Sequence, residues 1–395
     1  MENCKGFKGR EKRKMSVLIL SCDTGEGHNS CAKAIKEIYD AKGVPCEIIN
    51  PLQLISERFS RIVHRTHTFI YQKHAKIFEM GYEYAEKTKK FRVREGTLLY
   101  RFFERGADRL YVYMTEHQIT DVICVHPLLM MMVSVLKKKY PVTGSVAFVA
   151  TDYTCSPGVK QGKPDVCFIP DQSLIHDFCC EAIPQSDIVS SGIPVRQTFY
   201  THHEKNAAKI RFGIPEDAPH LVVMCGSMGC DTMRKVIGYL PKDEFYITVV
   251  CGTNKKMQSQ LEETYAAYEK IQIYGYVNDM SLLMDSADVF VTKPGGLSST
   301  EIAVKRLPAV YMNTVGGCES YNLQFFAKKG CALAAMTPKQ AAELCCELMR
   351  DPKRRETMHC ALRELQLSNA AEIVYDTIQG NRQEVERERD ESLCI

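Results

Sequence analysis

The stretch "VLILSCDTGEGHNSCAKAI", residues 17–35, joins an apolar run to a glycine-rich turn and then to a helical pattern. The run Val17–Leu20 predicts a buried strand, and Asn29 or Ser30 is suited to cap the helix that follows. A strand, a glycine-rich turn and a helix in this order point backbone N–H groups towards an anion. The turn lacks the third glycine of a dinucleotide fingerprint and the ending of a P-loop, so it predicts an anion site without identifying the ligand.

The same turn contains a histidine, His28, after the glycines Gly25 and Gly27. A histidine in such a place is either an ordinary polar group bonded to the nearby backbone or a group that transfers protons. The local sequence leaves both interpretations open. The two glycines are candidates for backbone contacts with the anion.

Strands and helices alternate along the rest of the chain in two runs. The predicted strands are 16–21, 46–50, 121–125, 145–151, 166–170 and 187–190, then 221–225, 246–251, 271–274, 288–292, 308–312 and 331–335. Such alternation is typical of parallel sheets covered by helices on both faces, which bind ligands beyond the carboxyl ends of their strands. We therefore expect two doubly wound α/β domains, with these divisions: a first domain at 1–195 with a helical insert at about 52–118, a second domain at 196–381, and a charged tail at 382–395.

Composition excludes several classes of protein. The 18 cysteines include no C-x-x-C pair, and most lie in apolar runs, which favours buried thiols in a reducing compartment over a zinc site or a disulfide framework. No stretch approaches the roughly 18 apolar residues that a membrane-spanning helix needs. A net charge of only +3, with no recognisable binding motif, argues against a nucleic-acid partner.

The segment 57–109 has a distinctive composition of 13 basic, 7 acidic and 10 aromatic residues. Aromatic rings between lysines and arginines suit the headgroup layer of an anionic membrane, but they also suit an ordinary charged helical face. The candidate membrane contacts in this segment are Arg61, Arg65, Lys89 and Lys90.

Two loops in the second half follow predicted strands. The first contains Gly226, Ser227, Met228 and Gly229, which form a second turn able to cradle an anion. The second contains "KPGGLSSTE", residues 293–301, where a helix is expected to start near Ser298. Ser298 and Glu301 then fit a capping box, and Glu301 equally fits the acidic residue that binds a ribose hydroxyl. Both roles remain open at this point.

These motifs together resemble the diacylglycerol glycosyltransferase family, which includes monogalactosyldiacylglycerol synthases and processive glucosyl relatives. The resemblance covers roughly residues 15–370. It is carried by "SCDTGEGHNSCAKAI", "HP" at 126–127, "TDY" at 151–153, "SGIPV", "YGYV", "KPGGLSSTE" and "GGCESYN". The order and spacing of these motifs support the resemblance more than any one of them does.

The resemblance implies a GT-B fold, with two Rossmann-like domains facing a cleft. It implies a UDP-sugar donor in the second domain, with uracil at 275–277, the ribose at Glu301 and the sugar at Glu319 and Asn322. The implied donor-binding residues are Gly25, Gly27, Gly226, Ser227, Met228, Gly229, Gly275, Tyr276, Val277, Pro294, Gly295, Gly296, Ser298, Ser299, Glu301, Glu319 and Asn322. The first domain would bind the lipid acceptor, with His126 among its contacts.

Three positions depart from the family pattern. Glu26 replaces a glycine of the first turn, and it brings a negative charge near the expected diphosphate. Cys318 stands where relatives often have a sugar-binding glutamine, so the donor sugar is open. The segment 154–162 also differs from relatives, which puts the acceptor side in question.

The chemistry expected from the resemblance is transfer of a hexose to the hydroxyl of diacylglycerol, with inversion. Such a transfer needs a base for the acceptor proton and a cradle for the leaving UDP. His28 and Asp152 are the candidate bases. The sequence contains no D-x-D motif, so we expect backbone N–H groups to replace a metal, and we expect no cofactor beyond the UDP-sugar.

Other functions remain compatible with this pattern. A UDP-GlcNAc-using enzyme, either a lipid-precursor GlcNAc-transferase or a 2-epimerase, would share the layout. A degenerate protein that senses UDP-sugars would also share it. The expected location is cytoplasmic, peripheral on the inner face of the cell membrane.

Overall fold

The computed structural model describes most of the chain. The described residues are 16–22, 26–58, 61, 80, 95–142, 144–224, 231–312 and 316–392, with the backbone alone for 231 and 382–392. Within them the chain forms two parallel sheets, one in each half of the sequence. This confirms the expected α/β architecture of two doubly wound domains.

The first sheet has six strands, and all of its neighbouring pairs are parallel. Its strands are β1 (Val17–Leu20), β2 (Cys46–Ile49), β3 (Asp121–Cys124), β4 (Val146–Val149), β5 (Val166–Ile169) and β6 (Ile188–Ser190). Their order is β2-β1-β3-β4-β5-β6, so the direction of winding reverses between β1 and β3. Strands β1, β3, β4 and β5 are buried at every position, because helices cover both faces.

The second sheet repeats this design with six further parallel strands. They are β7 (His220–Met224), β8 (Tyr246–Val250), β9 (Ile271–Tyr274), β10 (Val289–Thr292), β11 (Ala309–Met312) and β12 (Ala332–Ala335). Their order is β12-β11-β10-β7-β8-β9, and the winding reverses between β10 and β7. All twelve predicted strands are therefore present.

Helices in the first half are α1 (Glu26–Ala41), α2 (Pro51–Ile55), α3 (Leu98–Glu116), α4 (Pro127–Lys139), α5 (Val159–Gly162) and α6 (Ile175–Phe178). Helix α1 begins at Glu26, so the expectation that Asn29 or Ser30 caps it is wrong. Asn29 instead accepts a 2.7 Å hydrogen bond from the Ser21 hydroxyl. The helix ends as predicted before Gly43, whose φ of 68° suits glycine.

Helices in the second half are α7 (Lys205–Arg211), α8 (Asp231–Tyr239), α9 (Lys255–Tyr265), α10 (Met280–Ser286), α11 (Gly296–Val304), α12 (Cys318–Lys328), α13 (Pro338–Arg350), α14 (Pro352–Glu364) and α15 (Ala370–Ser392). Helix α15 continues through most of the predicted charged tail. It also packs against α1 of the first half, where the rings of Tyr375 and Tyr39 meet edge to face at 5.0 Å. The last helix of the chain thus covers the first domain.

The predicted helical insert is described only in part. Helix α3 belongs to it and packs against α4, with Phe103, Ala107 and Leu110 fully buried. Thr97 caps α3 by accepting a 3.1 Å hydrogen bond from the Tyr100 N–H. Among the helices of the described residues, none has the length and apolarity needed to cross a bilayer.

Candidate functional site

The candidate site lies where the carboxyl edges of the two sheets meet. His28 follows β1 and His126 follows β3, so both lie where the first sheet reverses its winding. Gly296 follows β10, at the corresponding reversal of the second sheet. Crevices at such reversal points bind ligands in open α/β sheets.

The first turns of α1 and α11 face each other across the domain boundary. A Cβ atom built on Gly27 would lie 3.7 Å from the Cβ of Leu297. Each helix carries the positive end of its dipole and unsatisfied N–H groups in this turn. Two helix N-termini therefore converge on one place, and this arrangement favours an anion.

His28 is held by the first domain. Its Nδ1 lies 2.8 Å from the Val125 carbonyl oxygen and 3.0 Å from the Thr151 hydroxyl. Because a carbonyl oxygen only accepts hydrogen bonds, Nδ1 carries the proton and donates it to Val125. The neutral ring consequently has Nε2 as its basic nitrogen.

His126 lies beside His28, with 4.3 Å between the ring centroids. It caps α4 through Nδ1, which accepts a 3.1 Å hydrogen bond from the Leu128 N–H. An accepting Nδ1 leaves the proton of the neutral ring on Nε2. His126, the predicted acceptor contact, thus lies next to the candidate base His28 and is the opposite tautomer.

The loop after β4 in the first domain makes direct contacts with the second domain. Tyr153 is almost fully buried and packs on Phe325 at 4.3 Å between ring centroids, while its hydroxyl lies 2.9 Å from the Thr300 hydroxyl. A Cβ on Gly296 would overlap with the Thr151 carbonyl oxygen. Only glycine at 296 permits this approach, so the second glycine of "PGG" is required by the contact between domains.

Asn322 lies at the centre of this contact and is completely buried. Its Nδ2 donates to Asp152 Oδ1 at 2.8 Å and to the Pro294 carbonyl at 3.0 Å. Its Oδ1 accepts a 2.7 Å bond from the Tyr153 N–H. Both amide protons and one lone pair of the oxygen are engaged within the protein, so Asn322 positions Asp152. The sugar contact of Asn322 stays a prediction.

Asp152 is partly buried and has an unusual proton affinity. Burial raises the pKa of Asp152 to about 6, and the Glu319 carboxylate adds to the rise. The hydrogen bond from Asn322 and the charge of Lys293 lower the pKa and so oppose this shift. A carboxylate with a pKa close to the working pH is a stronger base than an ordinary aspartate.

Lys293 and Glu319 form an ion pair next to Asp152. The ammonium lies 2.5 Å from Glu319 Oε1, and the Glu319 side chain is only 6% exposed. The sequence motifs predict Glu319 as a donor-binding residue, but they do not predict a role for Lys293. A lysine placed directly between a buried strand and a "PGG" turn was the signal that could have found it.

Helix α11 begins earlier than predicted. Gly295 is its N-cap and Gly296 its first residue, so Ser298 is third and Glu301 sixth. The expected capping box is therefore wrong, because its two residues lie inside the helix. Ser299 is fully buried, and its N–H donates to the Gly295 carbonyl at 2.9 Å. Its contact with the donor stays a prediction.

Glu301 is held in a partly buried position. Burial raises the pKa of Glu301 to about 8, and the charge of Arg196 lowers it by a smaller amount. A buried carboxyl group with so little opposing positive charge is suited to bind a hydroxyl group of a ligand. The ribose contact stays a prediction.

The predicted uracil segment, 275–277, follows β9 at the edge of the second sheet. It lies three strand spacings from β10, which corresponds to about 14 Å. The Gly275 carbonyl accepts a 3.1 Å bond from the Gly252 N–H, and Tyr276 is 69% exposed. The segment thus lies on the same edge of the sheet as the first turn of α11.

Comparisons with known proteins match each half of the chain to a family model. The model of monogalactosyldiacylglycerol (MGDG) synthase matches residues 28–195. The model of the glycosyltransferase family 28 C-terminal domain matches residues 220–376. Both matches confirm the resemblance to the diacylglycerol glycosyltransferase family. The protein is a glycosyltransferase, as the motifs predicted.

Curated relatives extend over nearly the whole chain. A processive diacylglycerol beta-glucosyltransferase of Bacillus licheniformis is 24% identical over 92% of this chain and 94% of its own length. A probable chloroplastic monogalactosyldiacylglycerol synthase of Glycine max is 26% identical over 94% of this chain and 72% of its own length.

Solved structures confirm the GT-B fold of this glycosyltransferase. MurG of Acinetobacter baumannii superimposes with a TM-score of 0.61 at 16% identity, over 93% of this chain and 99% of that one. A UDP-GlcNAc 2-epimerase of Neisseria meningitidis superimposes with a TM-score of 0.57 at 11% identity, over 93% of this chain and 100% of that one. Because transferases and an epimerase share the fold, the matching family models and not the shape favour the transferase.

Several predicted contacts of the glycosyltransferase lie outside the described residues: Gly25, Gly226, Ser227, Met228, Gly229, Arg65, Lys89 and Lys90. Arg61 is described and exposed. Its Nε donates to the Glu57 carbonyl at 3.4 Å, so it lies on a helical surface. Within the described residues, no three His, Cys, Asp or Glu side chains are grouped as ligands for a metal ion.

Proposed function

We propose that this glycosyltransferase moves a hexose, glucose or galactose, from a UDP-sugar to the hydroxyl of diacylglycerol at a membrane surface. The names of its relatives support the lipid acceptor and the choice between the two sugars. The observation that carries the proposal is the convergence of His28 with the first turns of α1 and α11. This convergence combines a base with an anion cradle in one cleft.

In the proposed complex the donor diphosphate lies at the first turn of α11. The N–H groups of Gly296, Leu297 and Ser298 have no intrahelical acceptors there and are suited to phosphate oxygens. The nucleoside then extends along the carboxyl edge towards 275–277. The separation of about 14 Å between the two places is compatible with a nucleoside diphosphate.

The proposed reaction is a single displacement. The acceptor oxygen attacks the anomeric carbon, and the bond from that carbon to the oxygen of the UDP β-phosphate breaks with its electron pair. His28 Nε2 takes the proton of the acceptor hydroxyl, since Nδ1 is held by Val125. One displacement inverts the anomeric configuration.

Asp152 is the second candidate for the base. Its raised pKa makes the carboxylate a better proton acceptor, and Thr151 connects its loop to His28. We assign the proton transfer to His28 because its ring belongs to the turn that contacts α11. The assignment is tested by substituting each residue in turn.

We further propose that no metal ion takes part. The cradle of N–H groups and a lysine next to α11 offer positive charge to the leaving UDP. Activity in excess EDTA is the test. A loss of activity that magnesium restores would show that a divalent cation is needed.

Helix α3 supports the proposed contact with an anionic membrane. Arg101, Arg105 and Arg109 are exposed on one face, because residues four positions apart align on a helix. Among the described residues, no carboxylate lies within ion-pair distance of these three arginines. The nearby carboxylates of Glu104 and Asp108 pair with Lys139 instead.

The arginine row is accompanied by exposed apolar residues. Leu98 is 85% exposed, and Leu99 and Val112 are also exposed. Repulsion between arginines four residues apart costs an isolated helix about 0.2–0.5 kcal/mol for each pair. An anionic lipid surface would offset that cost. We place this surface on the inner face of the cell membrane, where the protein would act from the cytoplasm.

The decisive experiment uses purified protein with diacylglycerol in mixed micelles. Radiolabelled UDP-glucose, UDP-galactose and UDP-GlcNAc are supplied separately, and the lipid products are separated by chromatography. We expect a labelled glycolipid from UDP-glucose or UDP-galactose. Label only from UDP-GlcNAc would favour a GlcNAc-using enzyme. Binding of UDP-sugars without any product would favour a sensor.

A further inference from the structure

The ion pair between Lys293 and Glu319 lies beside the N-cap of α11. A Cβ built on Gly295 would lie 3.9 Å from Lys293 Nζ. The Lys293 side chain is 21% exposed and the Glu319 side chain 6%, so the pair borders the cleft from inside the protein. The ammonium is thus within reach of any anion bound at the first turn of α11.

A partly buried pair of this kind opens only when another partner replaces the one that is lost. Leaving a buried charge without a partner is costly, whereas exchanging one anion for another is not. A diphosphate carries more negative charge than a carboxylate and accepts hydrogen bonds at several oxygens. It is therefore able to take Lys293 from Glu319.

The neighbouring groups are consistent with such an exchange. The charges of Lys293 and Glu319 both act on Asp152 and on Cys318, and Lys293 is the cation among the groups that influence Asp152. The charge of Lys293 lowers the pKa of Asp152, and the charge of Glu319 raises it. Movement of the ammonium towards a bound anion would leave Asp152 with more basic character.

We propose that Lys293 exchanges its Glu319 partner for an oxygen of the donor diphosphate when the donor binds. This inference rests on the proposed UDP-sugar donor. In the empty enzyme Lys293 neutralises Glu319. In the donor complex it stabilises the charge that develops on the leaving UDP, and Glu319 is released towards the donor sugar.

Calorimetry with UDP and with uridine tests the exchange, because uridine has no phosphates and UDP lacks the transferred hexose. Lys293→Met should weaken UDP binding by about 10- to 100-fold, the range for a lost charge-assisted hydrogen bond. Uridine binding should change less than twofold. Glu319→Gln should tighten UDP binding severalfold, since the lysine no longer has to leave a carboxylate. Adding Lys293→Met to that variant should abolish the gain.

Lys137→Met is the matched control. Lys137 forms a 2.6 Å ion pair with Asp165 and is 27% exposed, but it lies in the last turn of α4, away from the cleft. This variant should bind UDP like the wild type. It controls for the loss of one charge and one ion pair.

Equal UDP affinity of Lys293→Met and the wild type would overturn the exchange, as would equal weakening of UDP and uridine. If thermal melting shows that Lys293→Met does not fold, Glu319→Gln decides, and unchanged or weaker UDP binding overturns the inference. A wild-type protein that binds no UDP would overturn the proposed donor as well. If the wild type binds UDP and the Lys293 and Glu319 variants bind it with the same affinity, only the exchange is overturned.

Discussion

Asn322 donates a 2.8 Å hydrogen bond to Asp152, which lies 170 positions earlier in the chain and in the other domain. The same amide group accepts from the Tyr153 N–H and donates to the Pro294 carbonyl. One buried side chain therefore fixes the loop after β4 against the start of α11. The placement of the candidate carboxylate depends on closure of the two domains.

Asn322→Ala should lower turnover at least tenfold and reduce stability. The substitution leaves buried polar groups of Asp152, Tyr153 and Pro294 without a partner, at a cost of about 1–3 kcal/mol for each group. Turnover on diacylglycerol micelles and thermal melting measure the two effects. Gln324→Ala, at an exposed position of the same helix, should match the wild type. Full turnover in Asn322→Ala would contradict the positioning role.

His28→Ala should reduce turnover by about a hundredfold or more, the usual range for loss of a general acid–base group. UDP affinity should fall far less, because the second domain is expected to hold most of the nucleotide. Steady-state kinetics and calorimetry separate the two. His176→Ala, at an exposed histidine of the first domain, is the control. Wild-type turnover in His28→Ala would transfer the base role to Asp152 or another group.

Asp152→Asn should stabilise the protein at neutral pH while it lowers activity. Because burial raises the folded-state pKa of Asp152 to about 6, above its unfolded value near 3.9, the folded protein binds the proton more tightly. This contribution is present at low pH and is lost as the pH rises through about 6. Melting temperatures of the variant and the wild type should therefore converge at pH 4 and diverge at pH 7. A higher melting temperature of the variant at pH 4 only would refute this.

Glu301→Gln should weaken UDP binding, and the effect should depend on pH. With a pKa raised to about 8 by burial, Glu301 becomes increasingly ionised as the pH rises from 7 to 9. A carboxylate that accepts ribose hydroxyls should thus bind UDP more tightly at pH 9 than at pH 7. Calorimetry should show this rise in the wild type alone. Identical affinities of both proteins at both pH values would leave Glu301 with a structural role.

Charge reversal of Arg101, Arg105 and Arg109 to glutamate should abolish binding to vesicles that contain phosphatidylglycerol. Each arginine near an anionic surface contributes about 1 kcal/mol, and the attraction should weaken as salt rises. Sedimentation with vesicles measures binding, and UDP affinity should stay unchanged. Reversal of the exposed lysines Lys235, Lys339 and Lys353 in the second domain is the control. If the wild type does not sediment at low salt, α3 is not a membrane contact.

Local patterns in the sequence were sufficient to predict the architecture of the two domains. Apolar runs such as Val17–Leu20 identify buried parallel strands, because a strand covered on both faces needs an unbroken apolar sequence. Alternation with helices then identifies doubly wound sheets and the edge at which ligands bind. His28 was found from the same local information, since it lies in the turn after the first strand.

The details of the site depended on contacts that local patterns do not contain. The sequence of "PGG" predicts a turn, but it does not show that α11 begins at Gly296 or that the Thr151 carbonyl occupies the space of a side chain there. The sequence predicts a ligand contact for Asn322, and only the structure shows that its amide group also joins the two domains. The position of Lys293 before the "PGG" turn is a signal in the sequence, but its partner Glu319 is known only from the structure.

The sequence by itself determined the two parallel sheets, the family resemblance and the edge of each sheet that carries the candidate site. Tertiary structure alone decided which polar groups meet at that edge and which proton each histidine keeps. The physical reason is that burial and periodicity follow from neighbouring residues, whereas hydrogen bonds between the two domains join residues more than a hundred positions apart. Partners at that distance are selected by the packing of the domains.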